Sequence, residues 1–221
     1  RLFRPAFEHA LARRHRLYLC DLPGHGGAPT PRRAVTMEAA ATQLADAVDR
    51  HSCRRPVVLI AHSLGGLIAS LAARKVQRAP LGLISIEGNL TPADAFFSGR
   101  AVRYQDPQAF ARELCADVDR AAMDDPPLQP YAAGLRGVDP HALWSLGQSL
   151  ADYPEPWRQY RAVPCATRYW FDRSSLSAAS QAVIAEQRFA SRSIDGLGHW
   201  PMVSDPVAFF DGVAEEVGEF S

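Results

Sequence analysis

A serine, a glutamate and a histidine, in that chain order, are the residues whose surroundings suit chemistry. Ser63 sits in Ala61-His62-Ser63-Leu64-Gly65-Gly66, after the aliphatic run Val57-Val58-Leu59-Ile60 and before a helical pattern over residues 67–78. Buried strand, sharp turn, helix: this is the grammar of a nucleophile elbow, which holds a serine hydroxyl exposed at the carboxyl edge of a sheet. The residues around such a serine must be small because the two backbones nearly touch. Ala61, Gly65 and Gly66 meet that demand, with Ala61 standing where glycine is usual. A serine hydroxyl is a poor nucleophile until an imidazole takes its proton, and the imidazole needs a carboxylate to fix its tautomer and stabilise its charge. The competing reading of the segment is an ordinary strand, turn and helix.

Candidates for the two partners follow. Glu87 comes directly after a strand pattern over residues 81–86 and precedes Gly88, Asn89 and the apolar Ala95-Phe96-Phe97. In a parallel sheet, groups that follow strands gather on one edge, the edge where ligands bind. His199 lies in Gly196-Leu197-Gly198-His199-Trp200-Pro201-Met202, after the last strand pattern at residues 188–194, and so falls on that edge too. Asp172 follows the strand pattern at residues 165–171 and is a second acid candidate. His25, in Asp21-Leu22-Pro23-Gly24-His25-Gly26-Gly27, sits in a tight glycine-rich turn and reads as a loop-packing residue rather than a base.

The elements that must position these groups alternate strand and helix, which predicts an α/β protein with a mostly parallel sheet flanked by helices. Residues 2–14 carry an amphipathic helical pattern, Leu17-Tyr18-Leu19-Cys20 reads as a buried strand, and residues 29–34 as a surface loop. Thr36 caps a helix running to about residue 50, with Glu38 in its first turn. Arg74, Lys75 and Arg78 form a solvated basic end to the elbow helix. From residue 91 to 161 no strand pattern appears, only helical patches opened by prolines, so this stretch reads as an inserted helical cap on a core made of residues 1–90 and 162–221. Phe96, Phe97, Trp144 and Trp200 are candidate pocket residues, although aromatics at helical spacing are more often internal packing. A helix over residues 181–187 and a last one capped by Asp205, with Pro206 at its first position, complete the chain.

Composition narrows the class. Of 221 residues, 47% are hydrophobic and 22% charged, enough to bury a real core. The 24 basic and 24 acidic residues cancel and are spread along the chain, which argues against a nucleic-acid or anionic-membrane partner. No aliphatic run approaches the roughly 20 residues of a membrane span. Four cysteines without C-x-x-C pairing read as core thiols of a reducing, cytoplasmic setting, and seven histidines without ligand spacing predict no metal.

The three segments Asp21-Leu22-Pro23-Gly24-His25-Gly26, Ala61-His62-Ser63-Leu64-Gly65-Gly66 and Gly198-His199-Trp200-Pro201-Met202 resemble, in the right order and over almost the whole chain, the signatures of the α/β-hydrolases. That resemblance implies two-step acyl transfer without a cofactor. Ser63 attacks a carbonyl, His199 moves the proton, the Leu64 N–H is one oxyanion donor, and water releases the acyl group from a small ester, lactone or thioester. The family's usual acid follows the strand after the cap in a Gly-x-x-Asp turn, but here that turn reads Phe171-Asp172-Arg173-Ser174. A minority of the family carries the acid after the preceding strand, where Glu87 stands. Glu87 is therefore the expected acid and Asp172 the reserve, with Arg173 offering Asp172 a salt bridge instead. The family also has about three strands and a His-Gly oxyanion loop ahead of the segment at Arg1, so N-terminal strands are expected to be missing. Transfer to another acceptor, or ligand binding without catalysis, remain alternatives.

Overall fold

The computed structural model describes residues 2–30 and 33–220. Pro31 and Arg32, part of the loop expected at 29–34, lie outside them, as does Arg1. Four strands form one parallel sheet in the order β1 (Val58–His62), β2 (Gly82–Ile86), β3 (Ala166–Phe171) and β4 (Ser191–Ser193). Because every strand runs the same way, the residues that follow them, Ser63, Glu87, Asp172 and the segment leading to His199, emerge on one edge.

The helices are, in chain order, α1 (Leu11–Arg14), α2 (Met37–Ser52), α3 (Leu64–Ala72), α4 (Pro107–Asp124), α5 (Gln129–Leu135), α6 (Pro140–Leu150), α7 (Trp157–Arg161), α8 (Ala178–Glu186), α9 (Pro201–Ser204) and α10 (Pro206–Glu219). Alternation along the strands sends side chains to both faces. Leu83 and Tyr169 pack with Ala69 and Ala73 of the α3 end and Ile184 of α8, whereas Ile84, Ile86 and Trp170 pack with Phe209 and Val213 of α10. Residues 91–161, between β2 and β3, are helical or irregular throughout, and α4 and α6 open on prolines behind Asp106 and Asp139 caps. Asp205 caps α10 in the same way, accepting from the Ala208 N–H.

Several expectations need correction. Residues 2–14 are not one helix: a 3-10 turn at Arg4–Phe7 stops before α1, and the His9 ring accepts the Leu11 N–H, a side-chain bond that competes with continuous helix. Leu17-Tyr18-Leu19-Cys20 forms neither a strand nor buried structure. Tyr18 and Leu19 are 47% and 45% exposed, β1 does not pair with them, and Tyr18 instead stacks on His51 of α2. The elbow helix ends at Ala72 rather than near residue 78. Its basic neighbours are not simply solvated: Lys75 pairs with Glu38, Arg74 bonds Gln159, and Arg78 donates to the Arg54 carbonyl. Cys20 and Cys53 are exposed rather than core thiols, and Cys115 and Cys165 are partly buried; all four are free.

The close approach that the elbow demands is local to one glycine. A Cβ at Gly66 would lie 2.5 Å from Ser85 Oγ on β2, 2.8 Å from the Tyr160 hydroxyl of α7 and 3.0 Å from Gly88 Cα, whereas Gly65 faces open space. Only Gly66 is sterically required, so the expectation for Gly65 is withdrawn. At the far end of β3, Asp172 fixes the segment after β4. Its Oδ2 accepts the N–H of Gly196 at 2.7 Å and of Gly198 at 2.8 Å, while Oδ1 accepts from the Ser174 N–H and hydroxyl. Burial pushes this carboxyl up, but the hydrogen bonds from Ser174, Gly198 and Gly196 outweigh it and hold it below the ordinary carboxylate range.

Two expected outcomes follow for stability. Gly66→Ala lowers the denaturant midpoint by an amount equivalent to about 1–3 kcal/mol, the cost of overpacking, while Gly65→Ala is neutral or stabilising by up to about 1 kcal/mol through helix propensity. A depressed folded-state pKa means that Asp172 stabilises fully above the unfolded value of 3.8 and less as pH falls through the lower folded value. Asp172→Asn therefore destabilises near neutrality and flattens the acid limb of a stability profile taken from roughly pH 6 to pH 3. An unchanged acid limb would remove Asp172 from this role.

Candidate active site

Ser63 occupies a strained turn. It is the N-cap of α3 at φ 52° and ψ −129°, a conformation that costs a non-glycine residue on the order of 1–3 kcal/mol. The surroundings hold it there: its N–H donates to the Ile86 carbonyl of β2 at 2.9 Å, and its own carbonyl accepts the Gly66 N–H at 2.8 Å. Leu64, next in sequence, is the first residue of α3, and the first N–H groups of a helix have no acceptor within it. Strain and an unclaimed N–H thus meet at one point on the sheet edge.

Glu87 is also at positive φ, 45°, directly after β2. The turn is fastened by its N–H on the Trp170 carbonyl and by the Tyr169 hydroxyl, which donates to the Gly88 carbonyl at 2.6 Å. Only 2% of Glu87 is exposed, so its carboxylate must find partners in the protein, and it does. Oε1 accepts the Asp172 N–H at 2.9 Å and the Ser175 hydroxyl. Oε2 lies 2.5 Å from Nδ1 of His199. An ionised carboxylate can only accept, so the neutral ring carries its proton on Nδ1 and presents Nε2 as an acceptor.

The structure thus brings Glu87 and His199 together and gives Asp172 to the backbone of the His199 loop. Arg173 does not bridge to Asp172; it pairs with Asp195 at 2.6 Å, because the Asp172 oxygens are already taken by four N–H and O–H donors. Ser63 and His199 are not hydrogen-bonded: among the described residues the Ser63 hydroxyl has no protein partner. Nucleophile–base contacts are commonly long in ligand-free sites. His25 donates from Nδ1 to the Pro23 carbonyl, 2.9 Å away, inside its own turn, and burial pushes its pKa down.

The aromatic expectations separate. Phe96, 48% exposed, meets His199 edge-on with ring centroids 5.5 Å apart, and with Glu87, Asp94, Ser175, Ser177 and His199 lines a cavity of about 80 Å³. Phe97 stacks on Tyr131 of α5, and Tyr131 stacks on Trp200, so an aromatic column runs from the insertion to the residue after His199. Trp144 donates to the Tyr104 carbonyl inside the helical insertion and does not line this cavity. Sequence reasoning missed Ser175 and Asp94. Asp94 accepts from the N–H groups of Leu90 and Thr91 and from the Ser177 and Ser180 hydroxyls, tying the segment after Glu87 to α8. A Thr-Pro-Ala-Asp capping pattern was the available signal for Asp94. Among the described residues no group of three or more His, Cys, Asp or Glu could hold a metal ion, and no helix is long and apolar enough to cross a membrane.

Comparison with known proteins identifies the family. A pimeloyl-[acyl-carrier protein] methyl ester esterase of Sodalis glossinidius is 26% identical over 227 residues, covering 93% of this chain and 84% of that protein. The structure of a thermophilic esterase from Thermogutta terrifontis superposes with a TM-score of 0.75 at 20% identity, covering 99% of this chain and 85% of the other. The N-acyl homoserine lactonase AidH gives 0.74 at 17% identity over 100% and 84%. Residues 2–212 match the model of the alpha/beta hydrolase family, and the chain belongs to that family.

Proposed function

We propose that the chain is a serine hydrolase acting on a small carboxylic ester, lactone or thioester through Ser63, His199 and Glu87. The observation that carries the reading is the Glu87–His199 hydrogen bond on the sheet edge that also presents the strained Ser63. Residues 91–161 act as the cap, and Phe96, which lines the cavity edge-on to the His199 ring, supplies an apolar wall for the acyl or alcohol portion. The Sodalis and Thermogutta proteins are named as esterases and AidH as a lactonase, which supports the substrate class. A cytoplasmic setting and a small-molecule partner complete the proposal.

The steps use groups already placed. A rotation of Ser63 brings its hydroxyl to His199 Nε2, which accepts the proton as Oγ attacks the carbonyl carbon. The imidazolium so formed is stabilised by Glu87 at 2.5 Å, a bond strengthened by the enclosed surroundings of the carboxylate. Charge on the carbonyl oxygen falls to the Leu64 N–H at the start of α3. Collapse expels the alcohol or thiol, which takes the proton back from His199. Water then repeats the sequence on the acyl-enzyme, releasing the acid and restoring Ser63. The Asp172 N–H and Ser175 hydroxyl keep Glu87 aimed by occupying Oε1, which leaves Oε2 for the ring.

Labelling with a fluorophosphonate, followed by hydrolysis of a panel of nitrophenyl esters, lactones and thioesters, tests the proposal. Wild type labels at Ser63 and turns over; Ser63→Ala does neither, losing several orders of magnitude in kcat with substrate binding kept. Glu87→Gln loses up to about 10⁴ in kcat, since the amide no longer stabilises the imidazolium. Products formed with added alcohols in place of free acid would move the reading to acyl transfer. Normal turnover by Ser63→Ala would end it.

A further inference from the structure

His62 immediately precedes Ser63 on β1, and the proposed chemistry leaves its side chain without a task. Its Nε2 lies 2.7 Å from the main-chain carbonyl of His199, and its ring is 4.6 Å from the His199 ring and 4.9 Å from Trp200, centroid to centroid. A carbonyl only accepts, so His62 carries its proton on Nε2 and donates. Burial, and then the neighbouring His199 charge, push its pKa well below the ordinary imidazole value, which favours the neutral ring that donates from Nε2.

The His199 loop is held at three places. Glu87 holds the ring from the end of β2, and Asp172 holds the amides of Gly196 and Gly198 from the end of β3. Neither attachment reaches β1, the strand that carries Ser63. The His62 bond does, and it grips the backbone of the base one residue before the nucleophile. We propose that His62 is a positioning residue that fixes the distance and angle between Ser63 and His199 by holding the His199 carbonyl to β1. This rests on the assignment of Ser63 and His199 as nucleophile and base. The bond spans 137 positions of sequence, so a local packing role for His62 would not require it. Misplacement of a catalytic group by about 1 Å can cost on the order of 100-fold in rate, which is the scale at stake.

The experiment compares His62→Gln, whose amide nitrogen can stand where Nε2 stands, with His62→Phe, which fills the ring volume without a donor. With p-nitrophenyl acetate as probe, H62F is expected to lose about 30–100-fold in kcat with KM within about twofold, and H62Q to recover to within about fivefold of wild type. Thermal unfolding confirms that each variant is folded, and H62A replaces H62F if the latter is not. A second readout does not depend on turnover: the His199 Nδ1–H resonance, followed by proton–nitrogen NMR of labelled imidazole, stays sharp in H62Q and broadens in H62F as the loop loosens. Equal kcat in H62F and wild type, or H62Q as impaired as H62F, overturns the inference. If wild type neither labels at Ser63 nor cleaves the ester, the hydrolase reading fails, and the NMR comparison alone then decides whether His62 orders the His199 loop.

Discussion

The structure around the candidate site depends on one constraint, that both oxygens of the buried Glu87 carboxylate must have partners within the protein. At 2% exposure it has almost no water to turn to, and an unpaired charge there would cost several kcal/mol. Its three partners come from two separate pieces of chain: the Asp172 N–H and the Ser175 hydroxyl from the turn that follows β3, and the His199 ring from beyond β4. Satisfying Glu87 therefore assembles the edge. The positive φ of Glu87 and the Tyr169 hydroxyl on Gly88 are the local cost and the local fastening of that arrangement.

Two carboxylates divide the work of holding the His199 loop. Glu87 takes the ring, and Asp172 takes the amides of the two glycines that bracket Leu197. The division follows from reach. Asp172 follows β3, immediately beside β4, and its short side chain closes on the nearest backbone; Glu87 follows β2, one strand farther away, and its longer side chain passes the Asp172 N–H to meet the imidazole. Each oxygen has its donors, so neither acid is free to exchange roles without breaking several hydrogen bonds.

Much of this was legible in the sequence where the information is local. The elbow, the order of Ser63, Glu87 and His199, the proline-opened helices of the insertion and the Asp205 cap all follow from short patterns. What was not legible depends on pairing at a distance. Leu17-Tyr18-Leu19-Cys20 has strand composition, but strand formation needs a neighbour, and β1 pairs only with β2 among the described strands. Nothing near Gly65 distinguishes it from Gly66; the difference lies in Ser85 and Tyr160. Ser175 and His62 act across 88 and 137 positions, and the preference of Arg173 for Asp195 over its neighbour Asp172 was likewise decided by which oxygens were already occupied.

The arrangement of Ser63, His199 and Glu87 as one working unit is tested most directly by a crystal structure of the adduct of the chain with a small phosphonate. The account predicts phosphorus on Ser63 Oγ, His199 Nε2 within hydrogen-bond reach (about 3 Å) of the serine or phosphonyl oxygen, and Nδ1 still on Glu87, with Asp172 still holding the Gly196 and Gly198 amides. Phosphorus on another residue, or an Asp172 carboxylate turned onto the His199 ring in place of Glu87, would contradict it.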